Sequence, residues 1–127
     1  MHSCEAQASA NAVGPLRRWV EQYCTDVGAP RECCADVALA ASEAMTNVVM
    51  HAYRDRSRPG PMRVRAGTLD RRLLLEVEDD GVGLRPRVDS PGGGFGLALI
   101  ASLAAELEFA RGPAGTGTLV RMAFTLG

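Results

Sequence analysis

The sequence contains no lysine, and all 14 of its basic residues are arginine. The commonest phosphate-binding loop for ATP, GxxxxGK followed by serine or threonine, needs its lysine to reach the β- and γ-phosphates. The absence of lysine therefore excludes a nucleotide site of that kind. A nucleotide site in this chain would have to consist of backbone amides, a metal-holding side chain and a buried carboxylate.

Aromatic residues are scarce, at 5% of the chain, and the net charge is only −1. Domains that bind nucleic acid usually carry a basic surface, often with aromatic side chains that stack on bases. The arginines of this chain are scattered along its length and do not form one cluster. These features argue against nucleic acid as a partner.

Long apolar runs are also missing. No run approaches the roughly 20 residues that a membrane helix needs. Residues 1–14 lack the basic stretch followed by an apolar segment that is typical of a secretory signal. We therefore expect a protein without a membrane partner that acts in the cytoplasm.

Cysteine is limited to four residues with no CxxC pair, namely Cys4, Cys24, Cys33 and Cys34. A zinc site needs convergent ligands at suitable spacing, which these residues do not offer even with His2. Free structural thiols are the expected state. The length of 127 residues, with 46% hydrophobic residues, predicts one domain spanning residues 1–127.

The hydrophobic periodicity predicts helices early in the chain and antiparallel strands late. Helices are expected at residues 12–27, at 31–53 and from 95 or 96 onward. Strands are expected at 62–66, 73–79, 106–111 and 118–126, with residues 1–10 either a short edge strand or frayed. This order is typical of an α+β fold, a two-layer sandwich in which a mixed, mostly antiparallel sheet carries its helices on one face.

Asp79 is the most informative single position. Strand alternation places it on the same face as Leu73, Leu75 and Val77, so its carboxylate lies on the buried side. Burying a carboxylate is costly unless it is hydrogen-bonded, and the amino group of adenine is a suitable donor. Its neighbour Asp80 points the other way, towards solvent.

Gly81 and Gly83 follow Asp79 and would let the backbone turn sharply and approach a ligand closely. The same segment also fits an ordinary strand-ending turn. The residues alone do not separate these two interpretations.

Glu43 and Asn47 are four residues apart and therefore share one face of the second predicted helix. The amide oxygen of Asn47 is a hard ligand suited to Mg²⁺, and the carboxylate of Glu43 can act as a base. An isolated pair of this kind is more often a solvated polar face. His51, one turn later, more often caps or packs against a neighbour than carries chemistry.

Four glycines lie within residues 92–96 and lead directly into the third predicted helix. Glycine leaves backbone amides free to surround phosphate oxygens, and a helix N-terminus adds its positive dipole. A flexible linker is the alternative. The helix placed immediately after the glycines favours phosphate binding.

Taken together, these segments resemble the GHKL ATPase fold, and within it the anti-sigma-factor serine/threonine kinases called switch-protein kinases. Residues 43–53, EAMTNVVMHAY, are similar to the N box of that subfamily. Residues 79–83, DDGVG, match the G1 box DxGxG, and residues 92–100, GGGFGLALI, match the G2 box. Residues 117–122, GTLVRM, match the last box, and residues 13–20 resemble the first helix of the group.

The resemblance implies a role for each matching residue. Asn47 would hold Mg²⁺, and Glu43 would be the catalytic base that deprotonates a serine or threonine hydroxyl of the protein partner. Asp79 would bind the adenine amino group, with Thr118 supporting it through water. The remaining ATP-binding positions would be Gly81 and Gly83 around the base, and Gly94, Phe95, Gly96 and Leu97 around the phosphates. Residues 84–93 would form a lid.

The resemblance also implies the activity. ATP and Mg²⁺ would be the cofactors, and the substrate would be an anti-sigma-factor antagonist of the STAS-domain type. Binding of a sigma factor and a homodimer are further expectations of this kind. The alternative is a catalytically silent ATP-binding module that sequesters a regulatory partner without phosphorylating it.

Overall fold

The computed structural model describes residues 1–83, 94–112 and 115–126, and of residues 94–97 it describes the backbone alone. The helices are α1 (Ala10–Asp26), α2 (Arg31–Asn47) and α3 (Gly94–Leu103), and a π-helical turn (Val48–Ala52) extends α2. The strands are β1 (His2–Gln7), β2 (Pro61–Leu69), β3 (Arg72–Asp79), β4 (Glu106–Arg111) and β5 (Thr118–Thr125). Every helix and strand predicted from the sequence is present, with bounds shifted by a few residues.

The described strands form one five-stranded sheet in the order β1-β2-β3-β5-β4. Each neighbouring pair is antiparallel. The α+β sandwich is therefore confirmed, but the prediction of a mixed sheet is wrong for these strands. The reason is that β5 lies between β3 and β4. The β2–β3 hairpin and the β4–β5 hairpin therefore meet where β3 pairs with β5, and this pair is antiparallel.

Of the two alternatives for residues 1–10, a short edge strand or a frayed end, the edge strand is confirmed. Strand β1 pairs with β2 from His2, opposite Ala66, to Gln7, opposite Pro61. The β2–β3 hairpin turns at Asp70 and Arg71, which both have positive φ angles, of 51° and 63°. Two such residues are the signature of a tight two-residue hairpin loop.

One face of the sheet carries the core. On β3, Leu73, Leu75 and Val77 are completely buried, as strand alternation predicts. An apolar stripe along α2 and its π-turn packs against this face, and its members are buried, namely Val37, Ala41, Ala44, Met45, Val48 and Ala52. Helix α2 lies between α1 and α3 and contacts both. Its position brings its C-terminal end beside the end of β3.

The long second helix differs from its prediction in one respect. Residues 31–53 were expected to be uniformly α-helical, but the last turn widens into the π-helix Val48–Ala52. Such turns insert an extra residue and occur frequently at functional sites. With its π-turn, Arg31–Ala52 is also long and apolar enough to cross a membrane by length and composition. In this fold its apolar stripe is part of the core.

The four cysteines are free in the structure. Cys24 is buried in the core at the end of α1, and burial raises the pKa of its thiol to about 12. A thiol with so high a pKa forms little thiolate, which is the nucleophilic form. Cys24 therefore behaves as a core residue, as the sequence predicts.

Candidate functional site

Asp79 ends β3 on the helix-covered face of the sheet and is 1% exposed, so its predicted burial is confirmed. Its Oδ1 accepts a hydrogen bond of 2.8 Å from the backbone N–H of Gly81. Its Oδ2 is buried and has no hydrogen-bond partner within the described part of the chain. A buried acceptor without a donor is costly, and such an atom in a native fold calls for an explanation.

Burial raises the pKa of the Asp79 carboxyl above its ordinary value, and the neighbouring charge of Asp80 adds to the rise. The backbone N–H groups of Gly81 and Thr118 and the positive charge of Arg63 act in the opposite direction. The carboxylate is therefore held at a cost to stability. Perturbed groups of this kind are typical of functional sites.

The segment after Asp79 is held in place by hydrogen bonds from three successive backbone N–H groups. That of Asp80 donates to the hydroxyl of Tyr53 at 2.8 Å. That of Gly81 donates to Asp79 Oδ1, and that of Val82 donates to the carbonyl oxygen of Ala52, each at 2.8 Å. The end of α2 with its π-turn thus holds this segment on both sides of Gly81.

Two glycines are required for this close packing. A Cβ on Gly81 would lie 1.9 Å from the carbonyl oxygen of Ala52. A Cβ on Gly117 would lie 1.9 Å from the carbonyl oxygen of Asp79, and Gly117 also has a positive φ of 76°. Glycine is therefore the residue that both positions accept.

Replacing Gly81 with alanine is expected to destabilise the fold by about 3 kcal/mol, because the new methyl group collides with a backbone oxygen that is itself hydrogen-bonded. Urea unfolding measures the change. Gly14→Ala is the matched control, since a Cβ there meets only an arginine side chain at 3.5 Å. A change below about 0.5 kcal/mol for Gly81→Ala would contradict the close packing.

A cleft of about 680 Å³ opens beside this segment. Gly81 and Gly83 form one side, and Thr118 with the residues before it forms the other. Thr118 is 3% exposed and lies directly opposite Asp79 in the pairing of β3 with β5. The cleft therefore brings together three positions that the sequence proposes for adenine binding, Gly81, Gly83 and Thr118, and the fourth, Asp79, lies beside it as the strand partner of Thr118.

Glu43 and Asn47 both lie on α2, one turn apart and half-buried. Asn47 is the last residue before the π-turn, and Ala52 at the end of that turn accepts the N–H of Val82, so the C-terminal end of the helix lies beside the Gly81 segment. Among the described residues, no cluster of three or more His, Cys, Asp or Glu side chains could hold a metal ion. A metal at Asn47 would therefore need further ligands from its nucleotide, as is usual for Mg²⁺.

The glycine-rich segment is described only in part. Helix α3 begins at Gly94, one or two residues before the predicted start. On this helix Ile100 is buried and Leu103 is half-buried. The predicted lid, residues 84–93, lies outside the described residues, as do the side chains of Phe95 and Leu97.

Sequence reasoning missed two residues of the site. The motif includes Tyr53 without giving it a role, yet its hydroxyl accepts from the N–H of Asp80 and donates to the carbonyl oxygen of Pro61. Gly117 likewise enters the sequence argument only as the residue before Thr118. A tyrosine that ends an otherwise apolar helical stripe, and a glycine that directly precedes a strand, are the available signals.

Comparison with known proteins identifies the kind of domain. The family model described as histidine kinase-like ATPase domain matches residues 6–124. The anti-sigma F factor of Caldanaerobacter subterraneus subsp. tengcongensis is 35% identical over 104 residues, which cover 73% of this chain and 71% of that protein. The serine-protein kinase RsbW of Bacillus licheniformis is 32% identical over 77 residues, which cover 61% of this chain and 48% of that protein.

A solved structure with a similar fold contains the RsbU and RsbW domains of a Mycobacterium tuberculosis protein. It superposes with a TM-score of 0.75 over 99% of this chain at 24% identity. The chain spans only 33% of that larger protein. At this identity the likeness establishes the fold.

Proposed function

The chain belongs to the histidine kinase-like ATPase domain family, and from this premise we propose that it is an ATP-dependent serine/threonine protein kinase of a partner-switching pathway. Its substrate would be an anti-sigma-factor antagonist of the STAS-domain type, and in the other state of the switch it would bind a sigma factor. The names of the relatives, an anti-sigma F factor and a serine-protein kinase, support both halves of this proposal. The proposal places the kinase in the cytoplasm and allows a homodimer.

The observation that carries the nucleotide part is the buried Oδ2 of Asp79, which has no hydrogen-bond partner among residues 1–83, 94–112 and 115–126. It is a buried acceptor in an apolar setting, and adenine supplies an exocyclic amino group as donor together with an apolar ring. The bound base would satisfy the acceptor and relieve the cost of burying it. Gly81 and Gly83 would shape the pocket around the base, and Thr118 would support the amino group through water.

The phosphates require positive charge, which this chain must supply without lysine. The backbone N–H groups of Gly94, Phe95, Gly96 and Leu97, at the start of α3, have the right character for phosphate oxygens. The amide oxygen of Asn47 suits Mg²⁺, which would neutralise charge on the phosphates.

Phosphoryl transfer relies mainly on positioning and charge stabilisation. The Glu43 carboxylate would accept the proton of a serine or threonine hydroxyl on the partner. A bond then forms between that oxygen and the γ-phosphorus, the bond from the γ-phosphorus to the bridging oxygen breaks, and ADP leaves. The half-buried position of Glu43, one turn from Asn47, favours this role over a fully solvated carboxylate.

Incubation with γ-labelled ATP, Mg²⁺ and a lysate of the source cells is expected to label one protein on serine or threonine. The label should disappear when the kinase carries Glu43→Ala or Asp79→Asn. Phosphoamino-acid analysis identifies the acceptor residue. Binding of ATP without labelling of any protein would contradict the kinase and favour the ATP-dependent binding module.

A further inference from the structure

Tyr53 connects three parts of the fold that meet at the candidate adenine pocket. Its ring is 6% exposed at the end of the π-turn. Its hydroxyl donates to the carbonyl oxygen of Pro61, at the start of β2, and accepts from the N–H of Asp80, just after β3. We propose that Tyr53 is a positioning residue for adenine recognition, which acts by holding the backbone at Asp80 so that Oδ2 of Asp79 stays available for the base.

The first step of the argument concerns what each N–H group does. Gly81 donates to Asp79 Oδ1 and thereby fixes the plane of the carboxylate. Val82 is held by the carbonyl oxygen of Ala52, a backbone atom that substitution cannot remove. The N–H of Asp80 is the one whose acceptor is a side chain of another element of the fold, since Gly81 donates to its near neighbour Asp79. Among these three hydrogen bonds, the one to the Tyr53 hydroxyl is therefore the link to another element that a substitution can remove.

The second step concerns the rigidity of the tyrosine. A Cβ on Gly60 would lie 2.5 Å from Cε1 of Tyr53, so the ring packs directly against the backbone of residue 60. The guanidinium of Arg56 lies 5.1 Å from the ring centroid and also donates to the carbonyl oxygen of Asp80 at 3.3 Å. The side chain of Asp80 pairs with Arg63. Asp80 is thus fixed through its N–H, its carbonyl and its carboxylate.

The consequence is a specific expectation for ligand discrimination, and it rests on the proposed nucleotide function. Loss of the Tyr53 hydroxyl leaves the Asp80 N–H without its acceptor and removes one of the three contacts that fix the residue next to Asp79, so the Asp79 carboxylate is aimed less exactly. Contacts with the phosphates arise elsewhere, at Asn47 and the start of α3. In a variant without this hydroxyl, the preference for nucleotides that carry the 6-amino group should therefore fall more than the overall affinity for nucleotides.

The test compares the dissociation constants of ATP and of purine riboside triphosphate, which lacks the 6-amino group. The unaltered protein is expected to bind ATP about tenfold or more tightly than the analogue, as one hydrogen bond to a buried carboxylate implies. In Tyr53→Phe this ratio should fall to about threefold or less. Tyr23→Phe is the matched control, since Tyr23 is the other tyrosine of the chain and its ring, on α1, lies against His2 of β1.

The outcomes separate two failures. A ratio that stays unchanged in Tyr53→Phe would overturn the positioning role and leave the nucleotide site intact. Equal affinity of the unaltered protein for both nucleotides would overturn the adenine role of Asp79, and this inference with it. A general loss of stability cannot produce the expected result. A change that weakens the binding of both nucleotides equally leaves the ratio of their dissociation constants unchanged.

A second variant keeps the test decisive if Tyr53→Phe does not fold. Gly60→Ala retains the Tyr53 hydroxyl but displaces the ring, so it should also lower the preference for ATP over the analogue. Gly14→Ala introduces the same methyl group on α1, with only an ordinary contact to Arg18, and should leave the ratio unchanged. An undiminished ratio in folded Gly60→Ala protein would overturn the proposal.

Discussion

Asp79→Asn is expected to weaken ATP binding about a hundredfold or more while leaving the fold at least as stable as before. The asparagine can still accept the N–H of Gly81 through its amide oxygen, so the turn keeps its local hydrogen bond. Its NH₂ group then replaces Oδ2 and faces the amino group of adenine, which places two donors together. The stability should hold or rise because a buried, incompletely paired charge has been removed.

Isothermal titration with ATP and urea unfolding measure the two halves of this prediction. Asp80→Asn is the control, because the Asp80 carboxylate pairs with Arg63 on the other face of the sheet and is 40% exposed. Exposed ion pairs contribute little, so its ATP affinity should change less than about threefold. If Asp79→Asn lost stability and kept its affinity, Asp79 would be a structural residue that ends the strand.

The burial of Asp79 could be predicted because strand alternation is a local property. Leu73, Leu75 and Val77 establish which face is buried, and a further step of two residues reaches Asp79. The same rule failed for Glu78, which should face solvent yet is 2% exposed. The reason is cross-strand: Arg63 and Arg65 of β2 lie over its carboxylate and pair with it. Which side chains of another strand lie beside Glu78 depends on the register between the two strands. The alternation of side chains within one strand does not determine that register.

The strand order could not be predicted for the same reason. The sequence predicts both strands of the second hairpin, at 106–111 and 118–126, and they pair with each other as β4 and β5. Which of its strands would lie beside β3 depends on long-range packing. That choice places Thr118 opposite Asp79 and makes the sheet antiparallel throughout its described strands.

The site was found from motifs, but its supporting contacts were not. Helical propensity predicts that α2 continues to residue 53, and it does not distinguish an α-turn from the observed π-turn. The contacts made by Ala52 and Tyr53 join residues that are about thirty positions apart, so they depend on the tertiary fold. For the phosphate side, residues 94–97, the sequence remains the source of the assignment.

Glu43→Gln is expected to lower the rate of phosphoryl transfer about a thousandfold while the affinity for ATP changes less than about threefold. Glutamine preserves the size of the side chain and its place on α2 but cannot accept a proton. The hydroxyl of the partner would then have to lose its proton to water. Asn47, one turn away, is untouched, so any role that it has in holding Mg²⁺ is retained.

Single-turnover transfer of labelled phosphate to the purified partner measures the rate, and titration measures the affinity. Glu32→Gln is the matched control, since Glu32 is an exposed carboxylate at the start of the same helix. It should transfer phosphate at the rate of the unaltered protein. Normal phosphate transfer by Glu43→Gln would show that Glu43 is not a catalytic base. Positioning of the nucleotide and the partner would then be sufficient for the transfer. A loss of transfer in proportion to a loss of ATP affinity would instead make Glu43 a binding residue.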